Sequence, residues 1–288
     1  MAQAAFVTSR KVPDLTADDR LVVDALAAAG VDVTPVIWDA PDVDWPGFSA
    51  VVIRSAWDYH LKRDAYEAWL RSREEDGTNL WNPARAVLAN VHKGYLDSFS
   101  RRGIPIVPTT FVRAGEGQSL RTILERERYD HVVVKPAVSA NARGTWRASL
   151  ASPPADHAAF DAQAAVEDVL VQPYLDEVAS EGEWSLVFFG DTFSHAVLKQ
   201  PARGEFRVQE HLGGGAIAAE PPAQIIEQAH AVLAKAAAPL LYARVDGIVR
   251  DGRFLLMELE INEPSLFLGL SDGSAQRFAR AIKEVLHA

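Results

Sequence analysis

The sequence predicts an α/β chain: an N-terminal domain built on an open parallel sheet, followed by mixed α+β structure. Three observations carry this. Up to residue 90, short apolar runs alternate with segments of helical spacing, the βαβ rhythm of a parallel sheet. The run Ala50-Val51-Val52-Ile53 is apolar without interruption, as a strand buried on both faces should be. Beyond residue 180, strand-like segments turn at Gly190-Asp191 and at Asp251-Gly252, which are hairpin signals.

In order along the chain, 4–8 is a short apolar strand. Residues 18–29 carry Leu21, Val22, Ala25, Leu26 and Ala29 at helical spacing, and Gly30 stops that helix. Strands are expected at 31–38 and 50–53, and a helix at 64–73. Residues 79–90 lack a period, contain Asn82-Pro83 and read as a linker. A helix over 93–102 follows, built on Tyr95, Leu96 and Phe99 and ended by Gly103. Short strands are expected between Pro105 and Pro108 and at 110–113, a charged helix at 120–128, and a valine strand at 131–135. Next come a strand at 169–172, a hairpin of 183–190 with 192–199, and a flexible turn at Gly213-Gly214-Gly215. An Ala-rich helix over 223–241, a hairpin of 244–249 with 253–261 and a helix over 274–286 complete the pattern. The expected domains are 1–90, 91–175 and 176–288.

Composition narrows the function. Against 39 Asp and Glu stand 29 Lys and Arg, a formal net charge of −10, with no polybasic block. Such a chain is a poor ligand for nucleic acid or an anionic membrane. Without cysteine there is no disulfide, thiolate metal site or thiol nucleophile. Neither a signal peptide nor an apolar run of about 20 residues is visible. The expectation is a soluble cytoplasmic protein acting on a small molecule, with room for a homo-oligomer. The P-loop, the G-x-G-x-x-G fingerprint and the G-x-S-x-G elbow are all missing.

Four segments carry chemistry. In Met257-Glu258-Leu259-Glu260-Ile261-Asn262, strand alternation puts Glu258, Glu260 and Asn262 on one face and Met257, Leu259 and Ile261 on the other. Adjacent carboxylates on one face repel unless a cation lies between them, and Asp246 on the partner strand adds another oxygen donor, suiting Mg²⁺. The alternative is a solvated acidic edge. Lys135 ends a buried valine strand and opens a loop with Ser139, Asn141, Gly144 and Thr145, small and polar enough to approach phosphate. Arg207 precedes the glycine triplet and can grip an anion bidentately. Arg54 leaves the strand at 50–53 at its C-terminal end, where open α/β sheets place ligands. With Trp57 and Asp58 it reads as a contact for a zwitterionic amino-acid-like substrate; the alternative is an ion pair from Arg54 to Asp58.

The order of these segments resembles the ATP-grasp ligases, in particular the branch of prokaryotic glutathione synthetase and the ribosomal-protein-modifying glutamate ligases. His92-Lys93-Gly94-Tyr95 matches the first lysine of that family and Lys135 the second. Val171-Gln172-Pro173-Tyr174-Leu175 resembles the adenine hinge, and Glu183 the ribose-binding acid. Gly204-Glu205-Phe206-Arg207 and the trio Asp246, Glu258 and Glu260 match the remaining motifs, with Glu260 where most members have asparagine. A register shifted by two would pair Glu260 with Asn262 instead. Arg54-Ser55-Ala56-Trp57-Asp58-Tyr59 and Glu263-Pro264-Ser265-Leu266 are similar to the cycloserine-synthetase-like group, whose members cyclise an O-ureido serine with ATP.

The resemblance implies an ATP-grasp fold behind an N-terminal substrate domain, ATP with Mg²⁺ or Mn²⁺, and activation of a carboxylate as an acyl phosphate for attack by an amine. It implies that Lys93, Lys135, Ser139, Gly144, Gln172, Pro173, Tyr174, Leu175 and Glu183 bind nucleotide. Asp246, Glu258 and Glu260 would hold metal, and Arg207 and Lys199 would act in catalysis. The second reading is a nucleotide-binding protein of this fold without turnover.

Overall fold

The computed structural model describes residues 2–286. Its first sheet joins β1 (Ala2–Thr8), β2 (Val31–Ile37), β3 (Ala50–Ser55) and β4 (Leu80–Trp81), all parallel, in the order β2-β1-β3-β4. Every residue of β3 is buried, as its unbroken apolar run requires. Helix α1 (Ala17–Ala28) starts where the Thr16 hydroxyl accepts the Asp19 amide and ends before Gly30, whose φ of +77° suits a residue without Cβ. It packs Val22 and Leu26 onto one face of the sheet. Helix α2 (Arg63–Glu75) covers the other face with Tyr66, Trp69 and Leu70.

The segment expected to be a linker is ordered. It contains β4 and α3 (Ala84–Asn90), which buries Ala86 and Val87. Between them, fully buried Asn82 ties the first sheet to the rest of the chain. Its amide donates to Tyr242 O (2.9 Å) and Ile261 O (2.6 Å) and accepts from Leu241 N (2.7 Å).

After α4 (Tyr95–Arg101), a second sheet runs β5-β8-β6-β7, from β5 (Thr110–Val112), β6 (His131–Pro136), β7 (Trp146–Ser149) and β8 (Val169–Pro173), all antiparallel. Helices α5 (Leu120–Glu127) and α6 (Pro154–Ala164) close its apolar face through Leu120, Ile123, Leu124 and Phe160. The residues between Pro105 and Pro108 add only a single bridge, Ile106 to Leu256.

Following the short α7 (Glu177–Ser180), the third sheet is antiparallel, β11-β10-β9-β12-β13. Its strands are β9 (Glu183–Phe189), β10 (Thr192–Gln200), β11 (Gly215–Ala218), β12 (Tyr242–Arg250) and β13 (Arg253–Glu260). Helix α8 (Ala223–Leu233) covers one face and stops eight residues before the expected end at 241. Pro239 bars helical backbone just before it, and Ala236 N bonds to Leu233 O as a tightened last turn. Helix α9 (Ser274–Val285) returns to the first sheet, placing Phe278, Ala279 and Ile282 beside Val22 and Leu26 of α1. No described helix is long and apolar enough to cross a membrane.

One irregularity shapes the site. Asp246 pairs with Glu258, but the next residue, Gly247, pairs with Leu256, so β13 carries an extra residue at a bulge. Strict alternation fails there. Leu256 and Leu259 both enter the core, while Met257 and Glu258 both face a cavity. This corrects the expectation that Met257 and Glu258 face opposite ways. Gly247 is required, because a Cβ there would lie 2.4 Å from Leu255 O.

Candidate active site

A cavity of 430 Å³ lies between the second and third sheets, with the segment after β3 closing one end. One end is apolar, walled by Val107, Leu175, Val178 and Met257. The other is densely charged. Lys93 stands just before α4, Lys135 is the penultimate residue of β6, Lys199 lies on β10 across from Glu183, and Arg244 shares a face of β12 with Asp246.

These charges are paired. Lys135 Nζ lies 3.1 Å from Glu258 Oε1, and Lys93 Nζ 3.8 Å from the same oxygen while donating to Ser139 O (3.0 Å). Lys199 Nζ donates to Glu183 Oε1 (2.6 Å) and Asp246 Oδ2 (3.1 Å). Arg244 forks onto Asp246 at 2.8 and 2.9 Å and also meets Glu260 Oε1 at 2.6 Å. Ser185 Oγ donates to Asp246 Oδ1 at 2.7 Å. Burial disfavours the Asp246 carboxylate, yet Arg244 and Lys199 outweigh it and hold this carboxyl well below its ordinary range. Likewise burial opposes ionisation of Glu258, but Lys93 and Lys135 pull it below its usual value. Burial dominates at Glu183, which is raised, and at Glu260, which reaches about 7 despite Arg244.

Glu263 also lines the cavity, and its carboxylate has no ion-pair partner among the described residues. Burial, reinforced by repulsion from Glu260, pushes it up to about 8. A folded-state value above the unfolded one means that this group withdraws stability as pH rises from about 4.5 to about 8. Glu263→Gln mimics the protonated acid. It is therefore expected to melt with the wild-type protein near pH 5 and above it near pH 9. Superimposable melting curves at both pH values would refute the raised acid.

Most sequence-predicted site residues line this cavity. Lys93, Lys135, Ser139, Gln172, Pro173, Tyr174, Leu175 and Glu183 do so, as do Lys199, Arg207, Asp246, Glu258, Glu260 and Trp57. Their detailed engagements differ from the expectations. Glu183 Oε1 accepts from Lys199. The Tyr174 amide is taken by His131 O, and the Tyr174 ring stacks under Arg147 with the guanidinium 4.1 Å from its centroid. Arg207 pairs with Glu205 (2.9 Å) within its own loop. Of the shifted alignment, Asn262 Oδ1 is occupied by Tyr66 Oη at 2.5 Å, whereas Asp246 and Glu258 are direct cross-strand partners.

Three expected residues do not reach the cavity. Arg54 turns away from it, donating to Asp19 Oδ1 (2.8 Å) and Pro264 O (3.0 Å) in the core. It does not bond Asp58 either. Asp58 instead accepts the Trp38 indole at 2.8 Å and pairs with Lys62. Gly144 turns the loop at φ +71°, and a Cβ there would sit 2.8 Å from Pro136 Cγ. Sequence reasoning missed Arg244, Glu263 and Met257. The signal for Arg244 was its place two residues before Asp246 on a strand, which puts both on one face.

Comparison with known proteins accords with this geometry. Residues 4–82 match the family model of the D-cycloserine synthetase DcsG N-terminal domain. The chain is 31% identical to the cycloserine biosynthesis protein DcsG of Streptomyces lavendulae, covering 99% of both. A crystal structure of D-cycloserine synthetase DcsG superposes with a TM-score of 0.84 at 29% identity, covering 99% of this chain and 100% of that one. D-alanine–D-alanine ligase of Bacillus anthracis shares the fold, with a TM-score of 0.71 at 14% identity over 100% of this chain and 98% of that one.

Proposed function

Because the chain belongs to the DcsG family of ATP-grasp ligases, we propose that it uses ATP to activate the carboxylate of a small amino-acid-like substrate. A nitrogen of the same molecule then closes on the activated carbonyl. The observation that carries this reading is the convergence of Lys93, Lys135, Lys199 and Arg244 on one cavity with an apolar far end. An apolar slot suits a base, and a cluster of cations suits the phosphates.

Each side chain has a physical task. Lys93 and Lys135, anchored by Glu258, offer point charges to phosphate oxygens. Arg244, whose Nε and Nη2 are held by Asp246 and whose Nη1 donates to Ser265 O at 2.8 Å, would offer its charge and the remaining Nη1 hydrogen to the substrate carboxylate and then to the oxyanion that forms as nitrogen attacks. The balance is simple: the carboxylate takes the γ-phosphoryl group and ADP leaves. The nitrogen then forms the C–N bond and releases phosphate and a proton. Phe206, Arg207, Val208 and Gln209 line the cavity, and excluding water there would protect the acyl phosphate from hydrolysis.

The donor set is oxygen only and fits Mg²⁺. Glu258 and Glu260 open to the cavity, with side chains 27% and 32% exposed, while Asp246 is 4% exposed and engaged by Ser185, Lys199 and Arg244. Among the described residues, no three acidic or histidine side chains form a ready cage. Glu258 and Glu260, backed by Asp246, would hold a Mg²⁺ that arrives with ATP oxygens as its other ligands, and it would neutralise phosphate charge.

Thermal melting tests the nucleotide. At a concentration a hundredfold above Kd, ATP with Mg²⁺ adds about 2.7 kcal/mol to the folded state and should raise the melting temperature. Absence of a shift with ATP, ADP or a non-hydrolysable analogue would overturn the reading.

A further inference from the structure

Beyond β13 the chain runs through a segment whose backbone carbonyls are held by side chains instead of a strand or helix partner. Glu263 O accepts from the Trp57 indole (3.0 Å), Pro264 O from Arg54 (3.0 Å), Ser265 O from Arg244 Nη1 (2.8 Å) and Leu266 O from His195 Nε2 (2.8 Å). Of these four donors, His195 alone is neither charged nor on the cavity wall. It is 7% exposed and follows a bulge in β10, where Phe193 pairs with Phe188 but His195 with Val187, leaving Ser194 as the extra residue. Phe193 and Ala196 therefore pack into one core, while the consecutive polar residues Ser194 and His195 meet α9 and the 263–267 segment. Re-aiming a side chain in this way is what a bulge does. Burial holds the imidazole below its usual range, so the ring is neutral at neutral pH. A carbonyl oxygen only accepts, which places the ring proton on Nε2. Nδ1 then accepts from the Ser194 hydroxyl (2.9 Å), and Ser194 Oγ accepts from Arg277 Nε (2.9 Å).

The residues on either side of Leu266 both touch Arg244. Ser265 O takes its Nη1, and the Phe267 ring lies with its centroid 5.4 Å from the guanidinium carbon. Phe267 holds a φ of +52°, a left-handed conformation that a residue with a Cβ rarely adopts unless its surroundings impose it. The Leu266 carbonyl shares one rigid plane with the Phe267 amide, so a bond to that oxygen also fixes the direction in which Phe267 starts. We propose that His195 is a positioning residue for Arg244. By holding Leu266 O it sets Ser265 and Phe267, and through them the tilt of the guanidinium, whose opposite edge is held by Asp246. This rests on the ligase reading and deepens it, because it names the group that keeps the oxyanion donor aimed. The line of bonds from Arg277 through Ser194 and His195 to Leu266 O then ties the aim of Arg244 to the docking of α9.

The test follows ADP release by the full chain from ATP with Mg²⁺ and O-ureidoserine or other free amino acids. It also follows the Arg244 Nε signal in nitrogen NMR, identified by its loss in Arg244→Gln. His195→Leu keeps an apolar body without the donor. It should lower kcat by about 10–100-fold, the scale of a misplaced catalytic group, with ATP affinity within about twofold of wild type. It should also shift or broaden the Arg244 Nε signal. His195→Gln, whose amide nitrogen can stand where Nε2 stood, should restore most of kcat. In the Arg244→Gln background, His195→Leu should cost less than about threefold more, because a group that acts through Arg244 has nothing left to act on. Should His195→Leu fail to fold, Ser194→Ala, which frees Nδ1, should give a smaller loss of kcat with the same dependence on Arg244. The inference is overturned by equal kcat losses in both backgrounds, by an unmoved Arg244 signal, or by wild-type turnover in a folded His195→Leu. A wild-type protein that releases no ADP with any of the amino acids would instead overturn the ligase reading beneath it, while the NMR signal still reports whether His195 holds Arg244.

Discussion

Arg54→Ala is expected to lower unfolding free energy by about 3–5 kcal/mol, the cost of stranding one partner of a buried pair. The side chains of Arg54 and Asp19 are 1% and 2% exposed and 2.8 Å apart. The guanidinium also donates to Pro264 O and lies 5.0 Å from the Tyr242 ring and 5.5 Å from the Phe278 ring. One side chain thus joins β3, α1, β12 and α9. Removing it leaves the Asp19 carboxylate with only the hydroxyls of Thr16 and Ser55 and opens a void among four elements. Arg54→Lys should rescue little, since a point charge cannot serve an acid and a carbonyl in the guanidinium's fork geometry. Denaturant titration measures the loss, and substrate KM at a temperature where the variant is folded should match wild type. An unchanged midpoint with a raised KM would return Arg54 to the substrate.

Arg244→Gln is expected to reduce kcat by about 10²–10³-fold, the usual toll of deleting one donor to a developing oxyanion. Fixed orientation underlies this effect. Asp246 clamps the guanidinium through two hydrogen bonds, so it meets the cavity without reorganisation when charge develops. Substituting glutamine removes the charge but keeps bulk and hydrogen-bonding capacity, and Asp246 keeps Lys199 and Ser185 as partners. The variant should therefore fold and still respond to ATP. Turnover within a few-fold of wild type would assign the oxyanion to another group.

How far the sequence revealed this depends on the range of each interaction. Glu258 and Glu260 were legible because carboxylates stand out in an apolar strand, and Lys135 because it ends a run of valines. The strands of all three sheets were legible apart from β4, β7 and β11, of which β4 has two residues and the others four each. Arg54 was misread because a strand end in an open sheet suggests a ligand. Its true partners, Asp19 and Pro264, lie 35 residues back and 210 ahead, and nothing local announces them. Met257 was misplaced because alternation was carried through a bulge, although a glycine inside a strand run, here Gly247, is the usual mark of one. The segment 79–90 looked like a linker because its order comes from Asn82, whose bonds reach β12 and the end of β13, far away along the chain.

The packing of α9 against α1 bears on synthesis. Phe6, Val22 and Leu26 share one core with Phe278, Ala279 and Ile282. When a ribosome has released residues 2–90, α1 already covers part of that face, and the part that Phe278, Ala279 and Ile282 cover stays open until their segment emerges. Most multi-unit chains fold from the N-terminus as they are made; here the first sheet is completed only by residues near 280. Part of this apolar face is therefore uncovered while residues 91–273 are being made, and a shortened chain lacking α9 should aggregate more readily than one that carries it.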